Sequence, residues 1–209
     1  MPDLKPTVFV VDDDISVRES LEGLIRTAGW DARTFDSAEA FLAFPPAPGP
    51  SCLVLDVSLP DLNGLDLQSR IAGDRTETPI IFITGYGDVP MTVRAMKAGA
   101  AEFLTKPFGE EELLEAIEAA LERSRETTGE QTVLRALRER YNSLSRRERE
   151  VMDLVVTGLL NKQVGGELGI SEITVKAHRG RMMEKMRASS LADLVKMSAR
   201  LGRESPRGA

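Results

Sequence analysis

Through the first 124 residues, short runs rich in Val, Ile and Phe alternate with segments whose apolar positions recur every three or four residues. The runs are 8–11, 32–35, 53–55, 80–83 and 101–104, and the helical segments after them are 17–28, 38–44, 65–71, 90–98 and 111–122. Parallel strands need crossover helices, so the alternation predicts five β/α pairs around a parallel sheet covered on both faces. Ser16 and Glu19 have capping-box spacing, Gly29, Gly73 and Gly99 stand where helices can end, and PPAPGP at 45–50 must be a loop.

The fifth helix passes Leu121 into a polar stretch, 124–131, where Thr127, Thr128 and Gly129 weaken the helical pattern. The domain boundary is placed there, with 1–124 as the first domain. A linker follows over 125–140, with a short amphipathic segment at Val133, Leu134 and Leu137 that suits a linker helix or a dimer contact. From 141 to 202 the strand pattern is gone and four short helices are predicted. Ser145 and Glu148 repeat the capping-box spacing, Gly158 closes that helix, Asn161 caps the next, Gly169 ends it, Ser171 caps a third, and Ser189 or Ser190 caps a fourth ending near Gly202. Only Gly169, Ile170 and Ser171 separate the second and third, which is helix-turn-helix spacing. Residues 203–209 read as a disordered tail.

The chain has 209 residues and 42% apolar content, enough for one or two domains each with a core. Its apolar runs reach four or five residues against the roughly 20 of a membrane helix, and no basic stretch leads into a long apolar one, so a cytoplasmic protein without membrane contact is expected. One cysteine, Cys52, and one histidine, His178, exclude an internal disulfide and an ordinary zinc cluster. Cys52 falls in a strand and reads as a small buried hydrophobe. The formal charge of −6 hides an asymmetry: residues 1–126 hold 23 acidic and 11 basic side chains, and 127–209 hold 10 and 16. An acidic globule followed by a basic one suggests two different partners, and nucleic acid is the usual partner of a basic domain.

Ligands of an open parallel sheet sit at the carboxyl ends of its strands. There the sequence puts Asp12, Asp13 and Asp14 after the first strand, Asp56 after the third, Thr84 after the fourth and Lys106-Pro107 after the fifth. No Ser, Cys or His nucleophile stands beside a base, and no glycine-rich loop precedes a Lys and Ser/Thr. Carboxylates about 4 Å apart repel by roughly 4 kcal/mol at an effective dielectric near 20, so a divalent cation is called for; an all-oxygen set with few protein ligands suits Mg²⁺, with Mn²⁺ as a substitute. With Lys106 on the other side, one carboxylate could take a phosphoryl group. Asp56 is the choice, because it stands alone between the acidic run and the lysine.

The motifs VFVVDDD, LVLDVSLPDLNGLDL, IIFITGYGD and AAEFLTKPF, in that order over residues 6–124, closely resemble the receiver domain of two-component response regulators, the FixJ-like group in particular. The resemblance implies a flavodoxin-like doubly wound (βα)5 domain in which Asp56 is phosphorylated, Asp12 and Asp13 hold Mg²⁺ together with Asp56 and the Ser58 carbonyl, and Thr84 and Lys106 bind the phosphoryl oxygens. It implies a switch pair, Thr84 and Phe103, a cis Lys106-Pro107 bond, and tuning of self-hydrolysis at Ser58 and Tyr86. It also implies a separate sensor histidine kinase as donor, and a homodimer face that includes Val89, Met91, Arg94 and Lys97. Asp14 reads as a cap or a solvated acid of the first helix.

On a helical wheel of the third helix in the basic domain, Val175, His178, Met182 and Met186 fall in one stripe, leaving Ile173, Lys176, Ala177, Gly180 and Arg181 opposite. Such a helix suits a DNA major groove, with Lys176 at base edges or phosphates, Gly180 allowing close approach, and Arg179 and Lys162 meeting phosphates. The stretch from LSRREREVMDLVVTGLLNKQ to ITVKAHRGRMMEKM resembles the four-helix LuxR-type DNA-binding domain, over 141–202, and Thr174, Ala177 and Arg181 are taken with the other DNA-binding residues. Gly165-Gly166 departs from the small alanine-led pair usual there, and Gly180 replaces a larger side chain. The expected protein is a transcription regulator acting on double-stranded promoter DNA, with RNA polymerase as a further partner, and not an enzyme beyond its own phosphoryl transfer and slow dephosphorylation. Two alternatives stay open: a regulator whose receiver is a fixed dimer interface, and a Mg²⁺-dependent phosphatase using Asp56 as nucleophile.

Overall fold

The structure is a computed structural model that describes residues 5–60, 62–71, 73, 75, 77–85 and 87–202. Tyr86 and the 203–209 tail lie outside the described residues. The chain forms two compact units, residues 1–129 and 130–209. In the first, the elements run β1 (Thr7–Val11), α1 (Ile15–Thr27), β2 (Asp31–Phe35), α2 (Ala38–Ala43), β3 (Ser51–Asp56), α3 (Gly64–Ile71), β4 (Ile80–Thr84), α4 (Val89–Lys97), β5 (Glu102–Thr105) and the opening of α5 (Glu110–Asn142). The five strands make one parallel sheet in the order β2-β1-β3-β4-β5, the flavodoxin-like arrangement. Because β2 and β3 leave β1 on opposite sides, a crevice opens beyond the carboxyl ends of β1 and β3.

Successive side chains of a strand point to opposite faces, and the core divides accordingly. Val8, Val10, Cys52, Val54, Ile81 and Ile83 pack against Leu21 and Ile25 of α1 and Leu113, Ile117 and Leu121 of α5. Phe9, Val11, Leu53, Leu55 and Phe82 pack on the other side against Phe41, Leu67, Ile71 and Ala95 of α2, α3 and α4. Burial pushes the Cys52 thiol up, so it stays protonated and behaves as an apolar filler. At the amino ends of the strands, the Ser124 hydroxyl of α5 accepts from the Ser51 backbone at 3.0 Å and donates to the Glu77 carbonyl at 2.6 Å.

The helix α5 differs from the sequence reading at 124–131, because it runs unbroken through Thr127 and Gly129 to Asn142. One glycine costs a helix about 1 kcal/mol, too little to end it, and Thr127 bonds its hydroxyl back to the Arg123 carbonyl at 3.0 Å, which holds the residue in helical conformation. The first helix also starts earlier than its capping-box pattern predicts. Asp14 is the N-cap, accepting from the Ser16 N–H at 2.8 Å, and this places Ser16 and Glu19 inside α1.

The second unit packs α6 (Arg146–Val155), α7 (Asn161–Leu168), α8 (Glu172–Met186) and α9 (Leu191–Gly202) around Val151, Met152, Val155, Val164, Val175, Met182, Met186 and Leu194, with Leu137 of α5 joining that core. Ser145 caps α6 in a complete capping box with Glu148. Glu148 is 3% exposed and receives the Lys185 ammonium at 2.7 Å, tying α6 to α8. Asn161 is not the cap of α7; Leu160 holds that position, with its N–H donating to Gln163 Oε1 at 2.8 Å, and Asn161 instead accepts from Arg179 at 3.1 Å. Gly165 and Gly166 have unlike surroundings. A Cβ on Gly165 would lie 2.8 Å from the Ile170 carbonyl oxygen, within the turn between α7 and α8, whereas one on Gly166 would meet nothing.

Two stability outcomes follow. The Lys185 hydrogen bond, with help from the Ser145 N–H, holds the Glu148 carboxyl below its usual range. Its stabilisation is therefore present above the unfolded carboxylate value of about 4.3 and lost as pH falls through the lower folded value. Denaturant titrations should show Glu148→Gln weaker than wild type at pH 7 by about 1–3 kcal/mol, with the gap closing below about pH 4; a gap independent of pH would contradict the ion pair. Gly166→Ala should gain about 1 kcal/mol, whereas Gly165→Ala should lose stability, since its Cβ would press on the Ile170 carbonyl and the turn must move; equal gains would show that the turn yields freely.

Candidate functional site

Strand pairing sets the site before any side chain is considered. Val11 pairs with Leu55, so the residues that follow, Asp12 and Asp56, emerge side by side into the crevice. Asp12 is fully buried and Asp56 is 7% exposed, while Asp13 is exposed. One carboxylate oxygen from each of the three lies within 4.8 Å of the others. Lys106, 50 residues beyond Asp56 in the chain, reaches back to place Nζ 2.7 Å from Asp12 Oδ2 and 2.7 Å from Asp56 Oδ2. The Lys106-Pro107 peptide is cis, and the Lys106 N–H donates to the Thr84 carbonyl at 2.7 Å. Asp56 Oδ1 accepts the Ser58 N–H at 2.8 Å, and Asp12 Oδ1 accepts the Asp14 N–H at 2.9 Å. Arg18 of α1 donates to the carbonyls of Asp12 at 2.7 Å and Asp13 at 2.9 Å, bracing the loop that carries both acids.

The charges shape each other. Burial raises the Asp12 pKa, and the Lys106 hydrogen bond and the Asp14 N–H only partly oppose it. Burial acts against the Lys106 ammonium as well, but the bonds to Asp12 and Asp56 outweigh it and hold the lysine above its ordinary value. The Ser16 N–H holds the Asp14 carboxyl low, in keeping with its role as a cap.

Thr84 is buried at the end of β4, and Phe103 of β5 is half-buried with its ring 6.1 Å from that of Phe82. Gly87 lies between the two. A Cβ built on it would sit 3.1 Å from the Phe103 ring and 3.4 Å from the Thr84 methyl, and 2.7 Å from the Thr105 methyl. A side chain at 87 would press first on the Thr105 methyl and then on the Phe103 ring, a crowding that sequence reasoning missed. On α4, Val89 is 77% exposed, and Arg94 and Lys97 are exposed. Met91 departs from the predicted face, because it is half-buried against the core on the α2–α4 side of the sheet. Val93 and Met96, which the sequence reading passed over, are exposed on the same helix.

In the second unit, Val175, Met182 and Met186 of α8 are buried, while Ile173, Lys176, Ala177, Gly180 and Arg181 are exposed. Lys162 is exposed at the start of α7. The Thr174 hydroxyl is engaged with Ser171 Oγ at 2.8 Å, and Arg179 with Asn161, so these two brace the turn and the α7–α8 pair. His178 lies half-buried in the packing stripe, and its Nδ1 is buried without a hydrogen-bond partner among the described residues.

Residues 8–118 match the family model of the response regulator receiver domain, and 142–198 match that of the bacterial regulatory proteins of the luxR family. Fold and sites therefore define a two-domain regulator of transcription, a receiver followed by a LuxR-type DNA-binding domain. The chain is 54% identical to nodulation protein W of Bradyrhizobium diazoefficiens over 198 residues, covering 95% of this chain and 87% of that one. It is 43% identical to the transcriptional regulatory protein FixJ of Rhizobium meliloti over 192 residues, 92% and 94% of the two chains. Among solved structures, the response regulator StyR superposes with a TM-score of 0.84 at 49% identity, over 94% of this chain and 99% of that one. The chain belongs to the FixJ-like response regulators. Among its described residues no helix is long and apolar enough to cross a membrane.

A carboxyl whose pKa is raised on folding gives stability that is present below its unfolded value and lost as pH rises through the folded one. In metal-free buffer at pH 7, Asp12→Asn is expected to exceed wild type in stability by urea unfolding, with the difference vanishing on acidification to about pH 3.9. A variant weaker than wild type at pH 7 would contradict the burial penalty at Asp12.

Proposed function

We propose that a partner sensor histidine kinase phosphorylates Asp56 in a Mg²⁺-dependent reaction, and that this switches dimerisation and promoter binding in the cytoplasm. The observation that carries the reading is the single Lys106 ammonium, 2.7 Å from both Asp12 and Asp56, in a crevice with a third carboxylate nearby. An all-oxygen donor set of three carboxylates fits a hard divalent cation, Mg²⁺ first and Mn²⁺ as substitute. Asp12, Asp13, Asp56 and the Ser58 carbonyl would hold it, and when bound it supplies charge against the phosphoryl oxygens.

The remaining chemistry belongs to the chain. Asp56 attacks phosphorus of the donor's phosphohistidine through a carboxylate oxygen. A P–O bond forms as the P–N bond breaks, and the electron pair leaves with the imidazole. The Ser58 N–H at Oδ1 and Lys106 at Oδ2 orient the nucleophile. As charge passes to the phosphoryl group, Lys106 follows it, and the Thr84 hydroxyl binds a phosphoryl oxygen. The Phe103 ring fills the space behind Thr84, beside Gly87. Turnover is confined to this transfer and a slow self-hydrolysis, since Ser58, and not a general acid, stands two residues beyond Asp56. Val89, Val93 and Met96, apolar and exposed on α4 beside Arg94 and Lys97, supply the surface for a homodimer. The dimer sets two α8 helices on a two-fold symmetric site, where RNA polymerase is the further partner.

Gel filtration and DNA-binding titrations with and without beryllofluoride and Mg²⁺ test the proposal. A monomer-to-dimer shift and at least about tenfold tighter binding are expected, equivalent to about 1.4 kcal/mol, with Asp56→Asn unresponsive. An unchanged profile in the wild type would overturn the switch, and would favour a receiver that acts as a fixed interface.

A further inference from the structure

The first turn of α8 exposes an isoleucine that does nothing for the domain's own core. Ile173 is 83% exposed. Ala177 and Gly180 follow it at four and seven residues, which puts all three along one face of the helix. Gly180 has no packing reason to be glycine, since a Cβ there would meet nothing within 4 Å, and a helical glycine costs about 1 kcal/mol relative to alanine. The strip tapers from a branched side chain to none, and the exposed cations Lys176 and Arg181 flank it. Lone exposed apolar residues need no explanation, but a tapering apolar strip between cations on the outward face of the second helix of a helix-turn-helix does. The cations match the phosphates of a duplex, and the one apolar feature of the major-groove floor is the thymine 5-methyl group. The N-terminal residues of such a helix contact base edges, so Ile173 stands where base contacts are made, and the bare backbone at Gly180 lets the helix lie close.

We infer that Ile173 is a specificity-determining residue that packs on a thymine 5-methyl group in each half-site. This deepens the DNA-binding reading and rests on it. Replacing that thymine by uracil removes one methyl group and nothing else, so the loss reads the contact directly.

The test uses the full chain, treated with acetyl phosphate and Mg²⁺, to select a duplex from a random pool. Each thymine of the selected half-site is then replaced by uracil in turn. Wild type should lose about fourfold in affinity at one thymine position per half-site, the value of burying one methyl group. Ile173→Ala should bind the thymine and uracil duplexes equally at that position, and Ile173→Val should keep the discrimination. Ile173 is exposed, so these variants are expected to keep the wild-type thermal transition. Selected DNA that binds with no thymine–uracil difference, or a difference that Ile173→Ala leaves intact, would overturn the inference while the DNA-binding reading stands. Failure to retain any duplex would overturn both.

Discussion

Two carboxylates forced together at a sheet crevice are the constraint on which the receiver depends. The pairing of Val11 with Leu55 fixes the spacing of Asp12 and Asp56, and neither acid can move away without breaking the register of β1 and β3. Like charges this close cost several kcal/mol in a partly buried setting, so a cation is required for them to persist. Lys106 is that cation in the free protein, and its position depends in turn on β5 pairing with β4 and on the backbone bond to Thr84. Burial keeps the Asp12 pKa raised even though Lys106 bonds to it, and the neighbouring Asp56 charge adds the least to that rise. A partly buried, acceptor-rich crevice of three carboxylates is consistent with a divalent cation, and the burial of Asp12 lowers the stability of the free fold at neutral pH.

The second domain solves a different problem: it must hold one helix outward against solvent. Gly165 lets the α7 backbone approach the Ile170 carbonyl, which makes the short turn into α8 possible. Val175, Met182 and Met186 anchor the inner face, and Glu148 with Lys185 ties α8 to α6. The outer face is thereby left without intramolecular duties. The charge division runs along the same line, the acidic half carrying the carboxylate cluster and the basic half the LuxR-type DNA-binding domain.

Much of this was legible in the sequence because it is periodic or local. Buried strands read as apolar runs, the helix-turn-helix as three residues between capped helices, and the strand-end acids as residues directly following those runs. What escaped depends on contacts between distant residues or on small energy differences. Asp12 and Lys106 are 94 residues apart, so no local pattern states that one ammonium bridges two carboxylates. Thr127 and Gly129 looked like breakers, yet their combined penalty is below what a helix with packed ends can absorb. Asn161 has the chemistry of a cap but faces Arg179, and only the α7–α8 packing decides between those roles. Gly165-Gly166 stands out in the sequence only as a departure, without saying which glycine the turn needs, and Gly87 gives no signal, since a glycine beside a neighbouring side chain or carbonyl looks like any other until the neighbour is known.

Whether Asp56 is the acid that accepts a phosphoryl group beside Lys106 is decided by locating the modified residue. The protein is incubated with acetyl phosphate and Mg²⁺, trapped with borohydride, digested and read by tandem mass spectrometry. A single trapped site is expected, Asp56, lost when the cation is chelated and strongly reduced in Lys106→Ala. Modification at Asp12 or Asp13 instead, or labelling of Asp56 that proceeds equally without Lys106 and without the cation, would contradict it.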